Sequence, residues 1–323
     1  MVNDDRPRRA TSADVARESG VSRATVSYVL NETPDKHISQ ATRDLVLETA
    51  RRLGHVPNPM ARALKTGSSN IVVCLIPALT LGFVFDHALD ELTRALADRG
   101  YALLINRVSG FSRTDAISDL WGHVAPKLVM TIGGTLPHEV GALTSNAPAP
   151  VLNDSGIVPH RRVGRMQAEY LISQGHARIG YAMPEDPLLR VYAEQRLAGV
   201  ADACVGAGLV APHIREVDEQ VECHGQAVRD WIAGGVTGVC AHNDDVALLT
   251  LAAMENAGLR APSDLAVIGS DDVPLAAAGL TTVALDIEVC AALFIHEVLT
   301  ALGEQAMPRP ERDILRLVTR SSA

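Results

Sequence analysis

The chain has 323 residues, of which 47% are hydrophobic, 21% charged and only 3% aromatic. That length exceeds one compact core and implies two or three domains, and so few rings leave little for a ligand to stack on. No apolar run is long enough to span a bilayer. The N-terminus, MVNDDRPRRA, lacks the apolar core of a secretory signal, and the five cysteines (Cys74, Cys204, Cys223, Cys240, Cys290) stand singly with no C-x-x-C pair. The expectation is a cytoplasmic protein with no membrane partner, disulfide framework, zinc site or cofactor. The net charge of −9 counts against a nucleic-acid partner, but the distribution of that charge points the other way. Residues 1–65 hold 11 Lys and Arg against 8 Asp and Glu, a net of +3, and the rest of the chain carries −12. A basic head on an acidic body is the asymmetry expected when one end meets phosphates.

In chain order, Thr11 and Asp14 make an S/T-x-x-D/E signature that caps a helix start. Ala13, Val15 and Ala16 give that helix an apolar face, and Gly20 ends it, because the position after a helix favours positive φ. Val21 plugs the corner and Ser22 caps a second short helix carrying Ala24, Val26, Val29 and Leu30. Two helices around a tight glycine turn form a helix-turn-helix, whose second helix can enter a DNA major groove, although the same geometry also occurs in helical domains that never touch DNA. On that helix Arg23, Thr25, Ser27 and Tyr28 are free to face bases or phosphates. Ser39 caps a third helix, Gln40–Leu53, with Leu45, Val46, Ala50 and Leu53 on its buried side, and Gly54 stops it. The breaker cluster His55–Pro59 follows, then one or two helical turns, Met60–Lys65, too short to persist alone.

From Ile71 strands and helices alternate. IVVCLIP reads as a strand buried on both faces. It is followed by a helix over 86–99 with Ala88, Leu89, Leu92 and Leu96 inward, ALLIN (102–106), a helix near 113–124, KLVMTIG (127–133), a short helix near 138–143, and PVLND (150–154). A second set gives helices over 162–174, 192–207, 225–233, 244–256 and 287–302. Its strands fall at 177–183, 213–217, 238–242, 265–271, 281–285 and, last, ILRLVTR (314–320). Two α/β sets imply two lobes with parallel sheets, and ligands bind beyond the carboxyl ends of such strands. Asp154, Asn243, Asp244 and Asp271 are the polar residues at those ends, and Asp244 is the expected cap of the helix after it.

Taken together, DVARESGVSRATVSYVLN, PNPMARALKTG, GHARIGY, QRLAGV, HNDDVAL, LAVIGSDD and LTTV, in that order, resemble the LacI/GalR family of bacterial transcription regulators along essentially the whole chain. The resemblance implies an N-terminal all-α helix-turn-helix headpiece (residues 1–57), a hinge helix or linker (58–69) that orders on the operator, and a two-lobed, periplasmic-binding-protein-like α/β domain (70–323). It implies a repressor that binds double-stranded operator DNA. A small effector (sugar, nucleoside or other metabolite) between the lobes alters operator affinity. It also implies a homodimer or a tetramer; no heptad repeat follows Arg320, which favours the dimer. Matched by position, Arg23, Ala24 and Tyr28 approach bases. Ser22, Thr25, Ser27 and Asn31 belong to the same DNA-facing set, as do Asn58, Ala61 and Arg62 in the hinge. Leu64 wedges into the minor groove. Arg196, Asn243 and Asp271 hold the effector, with Asp154 a weaker fourth match.

The chain departs from the family pattern in places. Ala24 is too small to hydrogen-bond a base edge, and Tyr28 stands where many relatives have arginine. Leu81-Gly82-Phe83 lacks an asparagine common before the phenylalanine, and His160 stands about where an aspartate is common. Two rival classes fall short. A solute-binding receptor would share the two-lobed core but needs a signal peptide and has no use for a basic head. An enzyme would need more than the Asp271–Asp272 carboxylate pair, since no nucleophile with its base or phosphate-cradling loop accompanies it.

Overall fold

The computed structural model describes residues 10–30, 37–55, 69–77, 82–108, 120–121, 123–132, 147–153 and 156–323. The chain divides into two compact units, Met1–Ser69 and Asn70–Ala323.

In the first unit, α1 (Ser12–Ser19) begins with the expected reciprocal cap. The Thr11 hydroxyl accepts from the Asp14 amide at 3.3 Å and the Asp14 carboxylate accepts from the Thr11 amide at 2.9 Å. Gly20 leaves the helix at φ 68°, a conformation that costs glycine nothing. Helix α2 (Arg23–Leu30) starts at Ser22, whose hydroxyl accepts from the Thr25 amide at 3.0 Å. Helix α3 (Gln40–Arg52) is capped by Ser39, with Leu53 and Gly54 closing its last turn. Val15, Ala16, Val26, Val29, Val46 and Ala50 form one small apolar core. Leu45 does not join it and is 49% exposed, while Thr49 is buried. The inward stripe runs 46, 49, 50, 53, the i, i+3, i+4, i+7 spacing of one helix face, and position 45 lies beside it.

The second unit holds two sheets. The first, of four parallel strands in the order β2-β1-β3-β4, comprises β1 (Ile71–Pro77), β2 (Ala102–Val108), β3 (Leu128–Thr131) and β4 (Val151–Asn153). Strand β1 lies in its interior, so Val72 to Ile76 are buried without alternation. Helix α4 (Phe83–Ala97) starts three residues before the expected position, after Gly82 at φ 81°, and buries Ala88, Leu89, Leu92 and Leu96. The helices expected near 113–124 and 138–143 fall wholly or mostly outside the described residues, as does the hinge segment.

The second sheet contains β5 (Ile179–Pro184), β6 (His213–Val217), β7 (Gly238–Ala241), β8 (Ala266–Asp271), β9 (Thr281–Leu285) and β10 (Leu315–Val318), in the order β10-β9-β8-β7-β5-β6. Around it lie α5 (His160–Ser173), α6 (Pro187–Gly206), α7 (Val221–Ala233) and α8 (Asp244–Asn256). Helices α5, α6 and α7 begin two to five residues earlier than the apolar pattern suggests; for α6, Asp186 caps the helix and Pro187 suits its first turn.

The sheet is parallel, as expected, except at one edge, where β10 pairs antiparallel with β9. The connection explains it. After β9, Asp286 caps α9 (Ile287–Leu302), which packs on α4 of the first lobe with Phe85 and Phe294 edge to face at 6.1 Å. The chain then returns where β9 ended, with the Asp286 amide donating to the Ile314 carbonyl at 2.8 Å, and β10 can only run back alongside it. One apolar core accordingly spans both lobes, from Leu92 and Leu128 to Tyr181, Val283 and Phe294.

Candidate functional site

In the first unit the DNA-facing candidates share one helix. Ser22, Arg23 and Ala24 are exposed, and Thr25, Ser27 and Tyr28 are half-buried, while Val26 and Val29 turn into the core. Two of these polar groups have a local duty: the Ser22 and Thr25 hydroxyls lie 2.9 Å apart and complete the cap of α2. Arg23 makes no ion pair with another described residue, so its guanidinium is available. Asn31, Asn58, Ala61, Arg62 and Leu64 lie outside the described residues.

In the second unit the candidates gather at the carboxyl ends of the second sheet. Arg196 projects from α6 and is 4% exposed. Each arm of its guanidinium has an acceptor: Nε donates to His160 Nδ1 at 3.3 Å, Nη1 to the His242 carbonyl, and Nη2 to Asp271 Oδ1 at 3.3 Å. A buried cation needs such compensation, because desolvating it costs several kcal/mol. Asp271 ends β8, and the residues after β7 supply His242 and Asn243. The structure thus joins Arg196 to Asp271 directly and places Asn243 next in sequence to the carbonyl that holds the third arm. Asp154 lies outside the described residues.

Helix packing sets this geometry. A Cβ at Gly164 would sit 1.9 Å from the Arg196 carbonyl oxygen, and one at Gly199 would sit 1.8 Å from that of Arg161. Only glycine at both positions lets α5 and α6 approach so closely, and that approach carries Arg196 onto His160 at the start of α5. Asp271 and Asp272 both have positive φ, 109° and 55°. Non-glycine residues held there store backbone strain, which surrounding contacts must hold. Arg196 and Ser270 bond the first carboxylate, and Arg320 holds the second at 2.7 Å.

Asn243, rather than Asp244, caps α8, accepting from the Val246 amide at 3.0 Å. Asp244 is instead fully buried, accepting from the Thr282 hydroxyl at 2.7 Å and the Val273 amide at 2.9 Å. Burial pushes its carboxyl up to about 7, against the Thr282 bond and with the help of nearby Asp271. Burial also raises Asp271, opposed by Arg196. His160 is pushed down to about 3 by burial and then by the Arg196 charge, and His242 is lowered well below its usual value for the same reasons.

Several members of the cluster carry no mark in the sequence. Tyr192 lies four residues before Arg196 on α6, a spacing that puts both on one face, and its ring packs on His160 at 4.7 Å. The buried Gln167 donates to the Ala241 and Gly269 carbonyls at 2.8 and 2.9 Å, joining α5 to β7 and β8, and no local pattern signals it. On the first lobe a cavity of about 360 Å³ lies at the ends of β3 and β4 against α9, between Thr131, Asn153, Ile157, Phe294 and Glu297. None of Arg196, Asn243 and Asp271 lines it.

Residues 11–58 match the model of the bacterial regulatory proteins of the lacI family, and residues 168–323 match a periplasmic binding protein-like domain. The ribose operon repressor of Escherichia coli (strain K12) is 31% identical over 322 residues, covering 92% of this chain and 91% of that protein. The chain belongs to the LacI family. Another relative, the HTH-type transcriptional repressor CytR of Escherichia coli (strain K12), is 30% identical over 82% of this chain and 81% of its own length. Among solved structures, a lac repressor dimer bound to operator and the anti-inducer ONPF matches with a TM-score of 0.77 at 23% identity, covering 98% of this chain and 99% of that one. LacI-family repressors are DNA-binding transcriptional repressors regulated by effector ligands, and this chain is a regulator of that kind. Its α1–α2 pair is the family's helix-turn-helix, and its second unit is the two-lobed α/β domain. Among the described residues no helix is long and apolar enough to cross a membrane.

Proposed function

We propose that this LacI-family regulator represses transcription in the cytoplasm as a homodimer, reading a two-fold operator with Arg23, Ala24 and Tyr28. Residues 1–57 form its DNA-binding domain, 58–69 the hinge, and 70–323 the effector-binding and dimerisation domain. Ser22, Thr25, Ser27 and Asn31 complete the DNA contact set in the head, and Asn58, Ala61, Arg62 and Leu64 contribute from the hinge. Ala24 and Tyr28 offer methyl and ring surface in place of base-edge donors, so this readout favours thymine methyl groups. A small effector binds at Arg196, Asn243 and Asp271, with Asp154 from the other lobe, and changes operator affinity without being turned over.

The observation that carries the effector assignment is the ion pair between the buried Arg196 and the half-buried Asp271, 3.3 Å apart, with Asp271 at the end of a parallel strand. A buried ion pair adds little stability over an apolar core, and here it comes with strained backbone at Asp271 and Asp272. Such a costly arrangement suits a place where binding rearranges hydrogen bonds. A gel shift with DNA from upstream of the protein's own gene tests the reading, repeated across sugars, nucleosides and other metabolites. One of them is expected to change the shift for wild type and not for Arg196→Ala. A response that survives in that variant would remove Arg196 from the site.

A further inference from the structure

Resting on that reading of Arg196, Asn243 and Asp271, we infer that Gln167 is a positioning residue. Its side-chain amide sets the separation of the two strand ends that carry Asn243 and Asp271. The ladder between β7 and β8 runs from Gly238 beside Ala266 to Cys240 beside Ile268 and stops there. One step further, the carbonyls of Ala241 and Gly269 meet on a single nitrogen, Gln167 Nε2, at 2.8 and 2.9 Å, with the Ile268 carbonyl at 3.4 Å. A side-chain amide thus takes over where strand pairing ends. The next residues along the two strands are His242 and Ser270, and then Asn243 and Asp271. Gln167 is 0% exposed, so it acts on these groups through the backbone and not by contact with a ligand.

The surroundings of Gln167 fit a spacer better than a filler of core space. Its amide cannot be turned over, because Oε1 would then face two carbonyls. As it stands, Oε1 is buried and accepts no hydrogen bond among the described residues. An unpaired buried acceptor costs stability. What the amide supplies in return is one nitrogen with two protons, one for each carbonyl. The end of β8 is gripped from the other face as well, where α8 packs. A Cβ at Gly269 would lie 2.1 Å from Asp244 Oδ1, and Asp244 in turn holds the Val273 amide and the Thr282 hydroxyl. Helix α5 also meets the third effector residue, since Gly164, three positions before Gln167, lies against the Arg196 carbonyl. One helix therefore ties the spacing of Asn243 and Asp271 to the seat of Arg196.

Two measurements on the full chain test this. Calorimetry with D-ribose, cytidine and hypoxanthine as probes compares wild type with Gln167→Met, Leu171→Ala and Arg196→Ala. Leu171 lies one turn further along α5 and packs by Gly238 at the start of β7, so its truncation lowers the melting temperature without freeing the strand ends. Gln167→Met should weaken the compound that wild type binds at least about tenfold, while Leu171→Ala stays within about threefold. Equal losses in those two variants, or unchanged affinity in Gln167→Met, would overturn the proposal. Amide exchange gives a readout that needs no ligand. Gln167→Met should speed exchange selectively in residues 242–246 and 270–273, and a rise spread evenly through the second unit would mean a purely structural role. Should the methionine variant not fold, Gln167→Glu, which keeps the shape and at most one donor, is held to the same expectations. If Arg196→Ala abolishes binding and Gln167→Met does not, the site stands and the role of Gln167 falls. If Arg196→Ala keeps full affinity, the site reading itself fails. If none of the three probes binds wild type, the exchange pattern decides.

Discussion

Helix α2 of the head and the Arg196 cluster solve opposite problems. On α2 the polar side chains face outward along eight consecutive residues, and the arginine there is exposed with no ion pair to a described residue. Around Arg196 the polar groups come from α5, α6, the end of β7 and the end of β8, and every arm of the guanidinium is already bonded. An exposed arginine is kept for a partner that arrives. A buried one must be compensated in advance, so any ligand there exchanges bonds rather than finding free ones. The comparison teaches that similar charges have separate costs: loss of Arg23 is expected to spare the fold, and loss of Arg196 to weaken it without abolishing it.

The sharpest way to break that contrast is to remove each arginine in turn. Arg196→Ala leaves the half-buried Asp271 without its partner and should lower the stability of the second unit by about 1–3 kcal/mol. Arg23→Ala should change stability by less than about 0.5 kcal/mol. Urea denaturation of both variants checks this, and equal losses would refute it.

The next effect sharpens the buried side. Gly164→Ala drives a methyl into the Arg196 carbonyl, 1.9 Å away, and should cost about 1–3 kcal/mol through overpacking. It should also weaken effector binding, although it alters no polar side chain. Thermal denaturation and calorimetry on the same sample would show whether the two losses travel together.

On the exposed side, if Arg23 reads a base, Arg23→Ala should reduce discrimination at one operator position by about 1–3 kcal/mol. Competition gel shifts with single-base operator variants measure it. An equal loss on operator and random DNA would reduce Arg23 to a phosphate contact. Thr11→Ala removes half of the reciprocal cap and should cost the head about 0.5–2 kcal/mol. Melting followed by amide exchange should place that loss in residues 12–52 alone.

A last effect is one of pH. Because His160 stays neutral in the fold down to about 3 while the unfolded ring takes a proton near 6.5, the folded protein loses stability as pH falls below that value. His160→Gln lacks this contribution. Its stability should therefore fall less steeply than that of wild type between pH 6.5 and pH 5, and parallel curves would mean that His160 is not held neutral.

Much of the molecule was legible along the chain. Thr11, Gly20, Ser22 and Ser39 mark helix ends by local chemistry, so the boundaries of the head needed no tertiary information. The full burial of β1 follows from an uninterrupted apolar run, and TTVAL and the helix over 287–302 have the expected limits because turn residues flank them. Leu45 misled because a lone leucine at the edge of a helix stripe reads as core until the register is known. Helices α5 and α6 began early because their first turns are not marked by an apolar stripe, and in α6 a capping aspartate with a proline outweighs that missing pattern.

What the sequence alone determined is whatever rests on neighbours within a few residues: the caps, the alternation of strands and helices, the charge split between head and body, and the motif order that marks the family. Tertiary structure decided the rest. Asn243 rather than Asp244 became the cap because Thr282 and Val273, about 30 to 40 residues away, claim the aspartate. Strand β10 runs antiparallel because α9 first crosses to the other lobe. His160 came to share a proton-free nitrogen with Arg196 because two glycines bring their helices together. Burial and long-range hydrogen bonds depend on where the chain returns in space, and no local spacing encodes that.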